Sequence, residues 1–229
     1  MIRHLALGLL ASSASAAPLP RSFTVTSFDR IRVEAPYAVT LNTDRAPFAR
    51  TEGSPAALDL VDLRVEGRTL IIRQRSGFGA GSAVGPVRIS LGTPEIRSAS
   101  LSGSGSLEVS RMSGLSADVA LLGSGRLTVK TLSADRVNVA LQGSGALRLG
   151  GRTESARLTA QGTGSLEAAD LTAEDLTLAA EGAGLVTANA TRQVTIAAAG
   201  AVQVRVTGAP ACTLRVAGSA EVSGCRPQR

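Results

Sequence analysis

The chain has 229 residues, a formal net charge of +6 at pH 7 and 44% hydrophobic residues, but only 2% of its residues are aromatic. The basic side chains are nearly all arginine and are scattered along the chain, with Lys130 the only lysine. A nucleic-acid interface needs a basic stripe with interleaved aromatic residues, and the repetitive part of the sequence has neither, so we expect no nucleic-acid partner.

Residues 1–16 have the pattern of a secretory signal peptide. Arg3 and His4 precede an apolar run from Leu5 to Ala11, and Ala14-Ser15-Ala16 forms an A-x-A cleavage site. The run is too short to span a bilayer and no later stretch is long enough, so we expect no transmembrane segment. A signal peptide would direct export of the chain to the periplasm or the cell surface and would then be cleaved off. An N-terminal tail that is never cleaved is the alternative.

Cleavage would also remove His4, which is the only histidine of the chain. Without histidine, the mature protein cannot form a Ser-His-Asp triad, a Cys-His pair or the common histidine-bearing zinc sites. We therefore expect no catalytic residue, no bound metal and no cofactor.

The aromatic residues mark an N-terminal β region, which we assign to residues 22–85. They are Phe23, Phe28, Tyr37, Phe48 and Phe78, and none follows. The change in composition falls within the glycine-rich loop 76–86. After that loop Leu, Val and Ala supply the apolar positions, so we assign residues 86–229 to a second, repetitive region.

A glycine-framed motif recurs about every 20 residues through the repetitive region. It begins as Gly-Ser-Gly, changes to Gly-Thr-Gly and Gly-Ala-Gly, and decays at Ala198-Ala199-Gly200 and Gly218-Ser219-Ala220. A fixed period of this size is typical of stacked units that are each too small to bury a core alone. The motif glycines, which we expect to form structural corners, are Gly103, Gly105, Gly123, Gly125, Gly143, Gly145, Gly162, Gly164, Gly182, Gly184, Gly200 and Gly218.

Alternating apolar and polar residues on both sides of each motif predict strands. At the Gly143 motif, Val139 and Leu141 precede the corner, and Leu147 and Leu149 follow it. Each unit is predicted to be a strand, a corner, a second strand and a connecting turn. The sequence thus predicts an all-β fold, a β-solenoid with the right-handed winding of a β-helix, whose seven or so coils form a rod roughly 30 Å long. Some connecting turns hold a third apolar anchor, at Met112, Leu132 and Leu171.

Glycine is predicted at the corners because it reaches positive φ or lets the backbone of the next coil approach closely. The residue between the two glycines, such as Ser144, is predicted to hydrogen-bond its neighbours in the turn. A functional row of serines is the alternative.

Outward positions of the strands form rows along the predicted solenoid. One row brings Arg148 and Glu167 together on adjacent coils. An exposed ion pair contributes only roughly 0.2–1 kcal/mol, so we interpret this row as a solvated face.

The two cysteines, Cys212 and Cys225, flank the predicted terminal coil. In an exported protein this placement predicts a disulfide that holds the coil most exposed to fraying. Closing a loop of about 14 residues would stabilise the fold by roughly 3 kcal/mol. Two free buried thiols are the alternative.

Some β-helix proteins cleave polysaccharides, and such enzymes need two carboxylates about 5–9.5 Å apart. Sugar grooves usually also carry aromatic platforms, which this repetitive region lacks, so we expect no enzyme and keep polysaccharide cleavage as the alternative. The closest carboxylate pairs are Asp59 with Asp62, Glu167 with Asp170, and Glu174 with Asp175.

Three sequence features together resemble the putative auto-transporter adhesin, head GIN domain family. They are the run from Phe28 to Leu41, the hairpin from Val65 to Ile72 and the serial Gly-Ser-Gly coils. The resemblance covers residues 22–225. It implies an exported β-helical envelope protein with a structural, adhesion or binding role toward an unknown envelope protein or polysaccharide. The family defines no catalytic residue that could be carried over to this chain.

Overall fold

The structure, a computed structural model, describes residues 19–75 and 85–227. Its strands belong to one 17-stranded sheet that winds into a β-solenoid of about six turns, which confirms the predicted fold class. The predicted signal peptide, residues 1–16, and residues 76–84 of the predicted boundary loop lie outside the described residues. Within the described ranges no helix is long and apolar enough to cross a membrane, since α1 spans only Pro55–Asp59. The strands are β1 (Leu19–Phe23), β2 (Arg30–Glu34), β3 (Ala38–Asn42), β4 (Phe48–Gly53), β5 (Val61–Glu66), β6 (Thr69–Gln74), β7 (Arg88–Gly92), β8 (Ser98–Gly103), β9 (Ser106–Gly123), β10 (Arg126–Gly143), β11 (Ala146–Gly162), β12 (Ser165–Gly182), β13 (Leu185–Gly200), β14 (Gln203–Thr207), β15 (Ala211–Gly218), β16 (Glu221–Ser223) and β17 (Arg226–Pro227).

The long strands β9 to β13 carry the repeat. Each has 16 to 18 residues and pairs in parallel with the strand of the neighbouring coil. The predicted connecting turns are wrong, because Leu132 pairs with Met112 and the ladder continues through the bend. Continuous pairing keeps backbone N–H and C=O groups satisfied where a separate turn would leave more of them unpaired. The stack has about six turns rather than seven, since only the short strands β16 and β17 follow the last corner.

The core is a column of aliphatic side chains inside the coils. Leu107, Leu127 and Leu147 lie one above another in register, and all three are buried. The bend positions Met112 and Leu132 are also buried, as the sequence predicts for this anchor. Identical or similar side chains at each level let the coils stack without changing the width of the core.

The first coil comes from the N-terminal region and does not lie at the end of the stack. Its strands β2 and β3 pair on one side with β8 and β9, and on the other side with β6 and β7. The first coil, β2 and β3, is therefore the second layer of the stack, and the chain moves outward to form the β6–β7 layer before it returns to build the remaining coils. The sheet runs across the boundary expected between residues 85 and 86, and that boundary stays a prediction.

Antiparallel strands close the N-terminal end of the solenoid. β5 pairs with β6 as a hairpin that turns at Gly67, β4 pairs with β7, and β1 pairs with β4. The short helix α1 is N-capped by Ser54, whose hydroxyl accepts from the N–H of Ala57. Phe28 and Leu58 are buried at this end, so the apolar column is covered here.

Candidate functional site

Two glycines shape each regular corner, for different reasons. Gly143 has φ +115°, and a Cβ there would lie 2.5 Å from the carbonyl oxygen of Gly123. Gly145 does not have a positive φ, but its Cβ would lie 2.6 Å from the carbonyl oxygen of Gly125. The N–H groups of Ser144 and Gly145 both donate to the Gly123 oxygen, at 3.1 and 2.9 Å. Successive corners therefore stack in direct backbone contact.

The middle residues of the first corners form an exposed serine ridge. Ser104, Ser124 and Ser144 line one shallow groove of about 370 Å³ along this ridge, together with Arg126. The bond from Ser144 to the preceding coil is made by its backbone N–H. The ridge places three hydroxyls in a row on the surface of the rod.

The sixth corner lies two residues later than the sequence pattern predicts. Gly182 pairs with Gly200, and Gly200 pairs with Gly218, so the corner is Gly200-Ala201-Val202 and begins at Gly200 rather than at Ala198. The position that loses glycine is thus the second one, at Val202. Alanine fills positions 197–199, so the sequence there offers no alternation to fix the register.

A shallow trough runs along one face of the solenoid, and we call it the axial trough. Its floor is formed by the residue three positions before the first glycine of each corner, on β8 and on the C-terminal parts of β9 to β13. Longer side chains flank this row, for example Asn138 on one side of Ala140 and Gln142 on the other. The floor residues are Ser100, Ala120, Ala140, Thr159, Ala179 and Ala197.

At its N-terminal end the axial trough forms a polar groove of about 440 Å³. Arg30, Arg32 and Arg97 line this end together with Asp118. Asp118 also accepts a hydrogen bond of 2.9 Å from the side-chain amide of Asn138 on the next coil. Three arginines therefore line a groove that also carries hydroxyl and carboxylate groups.

Asp29 is the buried carboxylate behind this end of the trough. Its side chain is 9% exposed, and Oδ2 accepts from Nε of Arg68 at 2.9 Å. Oδ1 has no hydrogen-bond partner in the part of the chain that the structure describes. The backbone carbonyl of Asp29 accepts from the N–H of Arg97 at 2.8 Å. Asp29 thus pairs with Arg68 and positions Arg97 at the groove.

Glu34 ends strand β2 beside the same groove. Nε of Arg73 donates to its Oε2 at 2.6 Å, and Arg32 lies 3.8 Å from its Oε1. The hydrogen bond from Arg73 and the nearby positive charges hold the pKa of Glu34 below its ordinary value. The Glu34 carboxylate therefore holds Arg73 and Arg32, of which Arg32 lines the groove.

Two further grooves continue the trough toward the C-terminal end. One of about 270 Å³ lies over Ala120 and Ala140 and reaches Arg157. The other, of about 310 Å³, lies around Ala179 and reaches Arg215. The three grooves follow one line along the axis, because the same position carries a small residue on each of the strands β8 to β13.

Charged side chains on the opposite face of the solenoid pair with each other across the coils. Arg148 and Glu167 are 2.6 Å apart on adjacent coils, which confirms the predicted neighbours. Lys130 and Glu108 are 2.5 Å apart on the same face. On this face the ion pairs join neighbouring coils, whereas Arg97 at the axial trough pairs with Glu95 of its own segment, at 2.7 Å.

The carboxylate pairs considered in the sequence lie in ion pairs with arginine. Asp59 pairs with Arg21 at 3.0 Å, and Glu167 pairs with Arg148. Asp175 is bonded by Arg192 from the next coil. Over the described ranges, no group of three or more His, Cys, Asp or Glu side chains is placed to hold a metal ion.

A disulfide joins Cys212 and Cys225 at the C-terminal end of the solenoid, with their Cα atoms 5.7 Å apart. Cys212 is buried in the inward row directly after Val194. The bond holds strand β17 beside the first two residues of β15. The bridge therefore closes the last coil onto the stack.

The sequence interpretation missed the axial trough, although a signal for it exists. Counting back three positions from each corner glycine gives a small residue in every coil until Arg215. Alternation identifies the inward rows, whereas the trough is evident only when the sizes of outward residues at the same position of successive coils are compared. With the sixth corner placed at Ala198, the position three residues earlier is Thr195, so Ala197 is left out of the row of floor residues.

Solved structures with the same fold come from Bacteroides and Parabacteroides species. A putative adhesin from Bacteroides fragilis has a TM-score of 0.76 and 20% identity over 93% of this chain and 97% of that one. A putative adhesin from Parabacteroides merdae has a TM-score of 0.70 and 16% identity over 91% of this chain and 96% of that one. A putative lipid binding protein from Parabacteroides distasonis has a TM-score of 0.66 and 19% identity over 91% and 96%. At these identities the likeness extends to the fold alone.

None of the curated proteins compared with the chain is similar to it in sequence. A family model described as "Putative auto-transporter adhesin, head GIN domain" matches residues 27–210. The match begins at the first coil and ends just before the disulfide-bonded terminal segment. It confirms the resemblance drawn from the hairpin and the serial corners, and the chain belongs to the putative auto-transporter adhesin, head GIN domain family.

Proposed function

We propose that this protein is a non-enzymatic binding module of the cell envelope that holds an extended acidic polysaccharide along the axial trough. The observation that carries the proposal is the row of small floor residues on β8 to β13, which lies between two rows of mostly polar side chains, with Leu122 and Ala199 as the apolar exceptions. A linear ligand could lie in such a trough across several coils, whereas a compact ligand would fill only one of the three grooves.

The period of the trough favours a glycan over an extended peptide. Neighbouring coils are about 4.8 Å apart, close to the length of one sugar residue in an extended polysaccharide. Each sugar would therefore lie over one coil and face the side chains at its two flanking positions, which are Asn138 and Gln142 on one coil and Arg157 and Gln161 on the next. An extended peptide repeats its side-chain direction every roughly 6.6 Å, so its contacts would drift out of phase with the coils.

The charge of the trough favours an acidic glycan over a neutral one. Arg30, Arg32 and Arg97 line its N-terminal end, and Arg157 and Arg215 lie further along. Arginine binds carboxylate, sulfate and phosphate groups through paired hydrogen bonds. Neutral sugars are usually held by stacking on aromatic rings, and no aromatic residue follows Phe78. Asp118 and Glu181 would accept hydrogen bonds from sugar hydroxyls.

Export to the periplasm or the cell surface is part of the proposal. Residues 1–16 have the pattern of a signal peptide, and the mature chain has a disulfide of the kind that persists outside the cytoplasm. Family membership agrees with this location. Amino-terminal sequencing of the protein from an envelope fraction should start at Ala17.

Polysaccharide cleavage is not favoured by the carboxylates of the described residues. In each pair considered, at least one carboxylate is held by an arginine. An acid-base pair across a sugar would instead need one carboxyl group kept protonated by its surroundings. The proposal is therefore one of binding without turnover.

The test uses calorimetric titration of the mature chain with oligogalacturonate, a linear glycan with one carboxylate on each sugar. We expect binding that weakens steeply as salt is raised, because the contacts are charge-charge contacts. Replacing the floor residue in Ala140→Trp should weaken binding at least about tenfold, since the indole fills the trough.

The matched control is Thr128→Trp, which places the same side chain at a half-buried outward position of the opposite face. It should bind like the wild type. Equal loss in both variants, or no binding to oligogalacturonate or to heparin-like sulfated glycans, would contradict the proposal.

A further inference from the structure

The C-terminal end of the solenoid presents an unpaired strand edge beside an uncovered part of the core. Leu214 and Val216 continue the inward rows of Ile196 and Ala198. Those two residues are 0% and 2% exposed, but Leu214 and Val216 are 40% and 48% exposed. In the described residues the outer edge of β15 is paired only at its first two positions, by β17.

The segment after the last corner leaves this edge open. β16 lies on the other face of the coil, where it pairs only with β14 among the described strands. The disulfide holds Cys225 beside Cys212, so β17 stays at the start of β15. The outer edge along residues 213–218 therefore offers backbone N–H and C=O groups to another strand.

The opposite end of the solenoid offers no matching edge. There the coil strands β6 and β7 are already paired with the antiparallel strands β5 and β4. Among the described strands, β5 and β1 hold the outer edges at that end, and their antiparallel pairing breaks the parallel pattern of the coils. A closed two-fold arrangement instead buries the open C-terminal end of each copy against the same surface of the other copy. We propose that a second copy of this chain docks on the C-terminal edge and forms a tail-to-tail dimer.

A two-fold axis through the last corner places β15 of one copy antiparallel to β16 of the other. On the inward side, Leu214 and Val216 then meet Val222 of the second copy. On the outward side, Arg215 lies beside Glu221 of the second copy. Symmetry repeats these contacts, so apolar residues and opposite charges both match their own rotated image.

The charge of the edge selects this pairing over the simpler one. Antiparallel pairing of β15 with β15 of the second copy, centred on Arg215, would set two arginines side by side. Like charges directly opposite each other destabilise a strand pair. Pairing β15 with β16 replaces that repulsion by two attractions.

The test is a charge exchange followed by sedimentation velocity of the mature chain. Wild type should form a dimer that dissociates on dilution. Arg215→Glu and Glu221→Arg should each raise the dimer dissociation constant at least about tenfold, because each places like charges together twice. An equimolar mixture of the two variants should dimerise again, since both contacts are then opposite in sign. Both residues are exposed, so unchanged circular dichroism should verify the fold.

A second pair of variants tests the apolar contact. Val216→Lys should abolish the dimer, whereas Leu185→Lys, at an apolar residue of similar exposure on the side of the rod, should leave it intact. A wild type that stays monomeric at its highest soluble concentration would overturn the proposal and leave the edge to a strand of another protein. A dimer that none of the end variants changes, or variants that fail to pair when mixed, would overturn it as well.

Discussion

At the scale of single residues, the corners explain why this fold needs so many glycines. Gly143 combines a positive φ with close contact to the Gly123 carbonyl, whereas Gly145 is limited by contact alone. A side chain at either position would push adjacent coils apart and break the hydrogen bonds that join them. The residue between them faces solvent and has no such limit.

The corner is tested by comparing Gly143→Val with Ser144→Ala. A β-branched residue at positive φ costs of order 1–2 kcal/mol even before the clash with Gly123, so we expect a large fall in the free energy of unfolding. Ser144→Ala should change stability by less than about 0.5 kcal/mol, as is usual for exposed sites. Urea unfolding of both variants measures the difference, and similar small effects would mean that Gly143 is not conformationally restricted.

Glu34 gives the fold a defined response to acid. The bond from Arg73 lowers its pKa in the folded state, so its ionisation stabilises the fold above the ordinary value of 4.5. That contribution is lost as the pH falls through the lowered pKa, because the folded carboxylate must then be protonated. Glu34→Gln should therefore destabilise the protein near neutral pH, and the difference from wild type should shrink in acid.

Urea unfolding at several pH values measures this effect. An Arg73→Gln background is the control, because without the guanidinium Glu34→Gln should change stability much less. A difference between wild type and Glu34→Gln that grows as the pH falls would have the wrong sign for this account.

At the scale of elements, the strands of the repeat could be predicted because their pattern is local. Val139, Leu141, Leu147 and Leu149 alternate with polar residues in the sequence, and all four are buried in the structure. The pairing of β2 and β3 between two other layers could not be predicted, because it depends on contacts between segments far apart in the chain. The sixth corner was misplaced for a local reason, since a run of alanines carries no alternation.

The terminal coil depends on the bond between Cys212 and Cys225. Stabilities of neighbouring coils in a solenoid are nearly independent, so loss of the bridge should act locally. Reduction should speed hydrogen exchange in residues 211–225, while residues 119–149 stay protected. Mass spectrometry after exchange measures both segments in one sample.

The matched variant for this experiment is the pair Cys212→Ala and Cys225→Ala, which should show the same local increase without reductant. Slow exchange in residues 211–225 after reduction would show that packing alone holds the coil. Free thiols in protein purified under oxidising conditions would contradict both the bridge and the proposed export.

At the scale of the whole molecule, stacking equivalent units turns a property of one coil into a property of the rod. A small residue three positions before Gly143 leaves only a gap, but the same residue in successive coils makes the axial trough. The inward rows that form the core could be predicted from alternation, whereas the trough depends on the register between coils. The register of the last coils is set by the pairing of Gly200 with Gly182 and with Gly218.

The most direct test of the proposed function is an amide chemical-shift titration of the mature chain with oligogalacturonate. Shift changes should follow the floor and walls of the axial trough in every coil, around residues 98–102, 118–122, 138–142, 157–161, 177–181 and 195–199. Residues 127–130 and 147–149 on the ion-paired face should not respond. Changes concentrated on that face, or confined to a single coil, would contradict an extended glycan held along the axis.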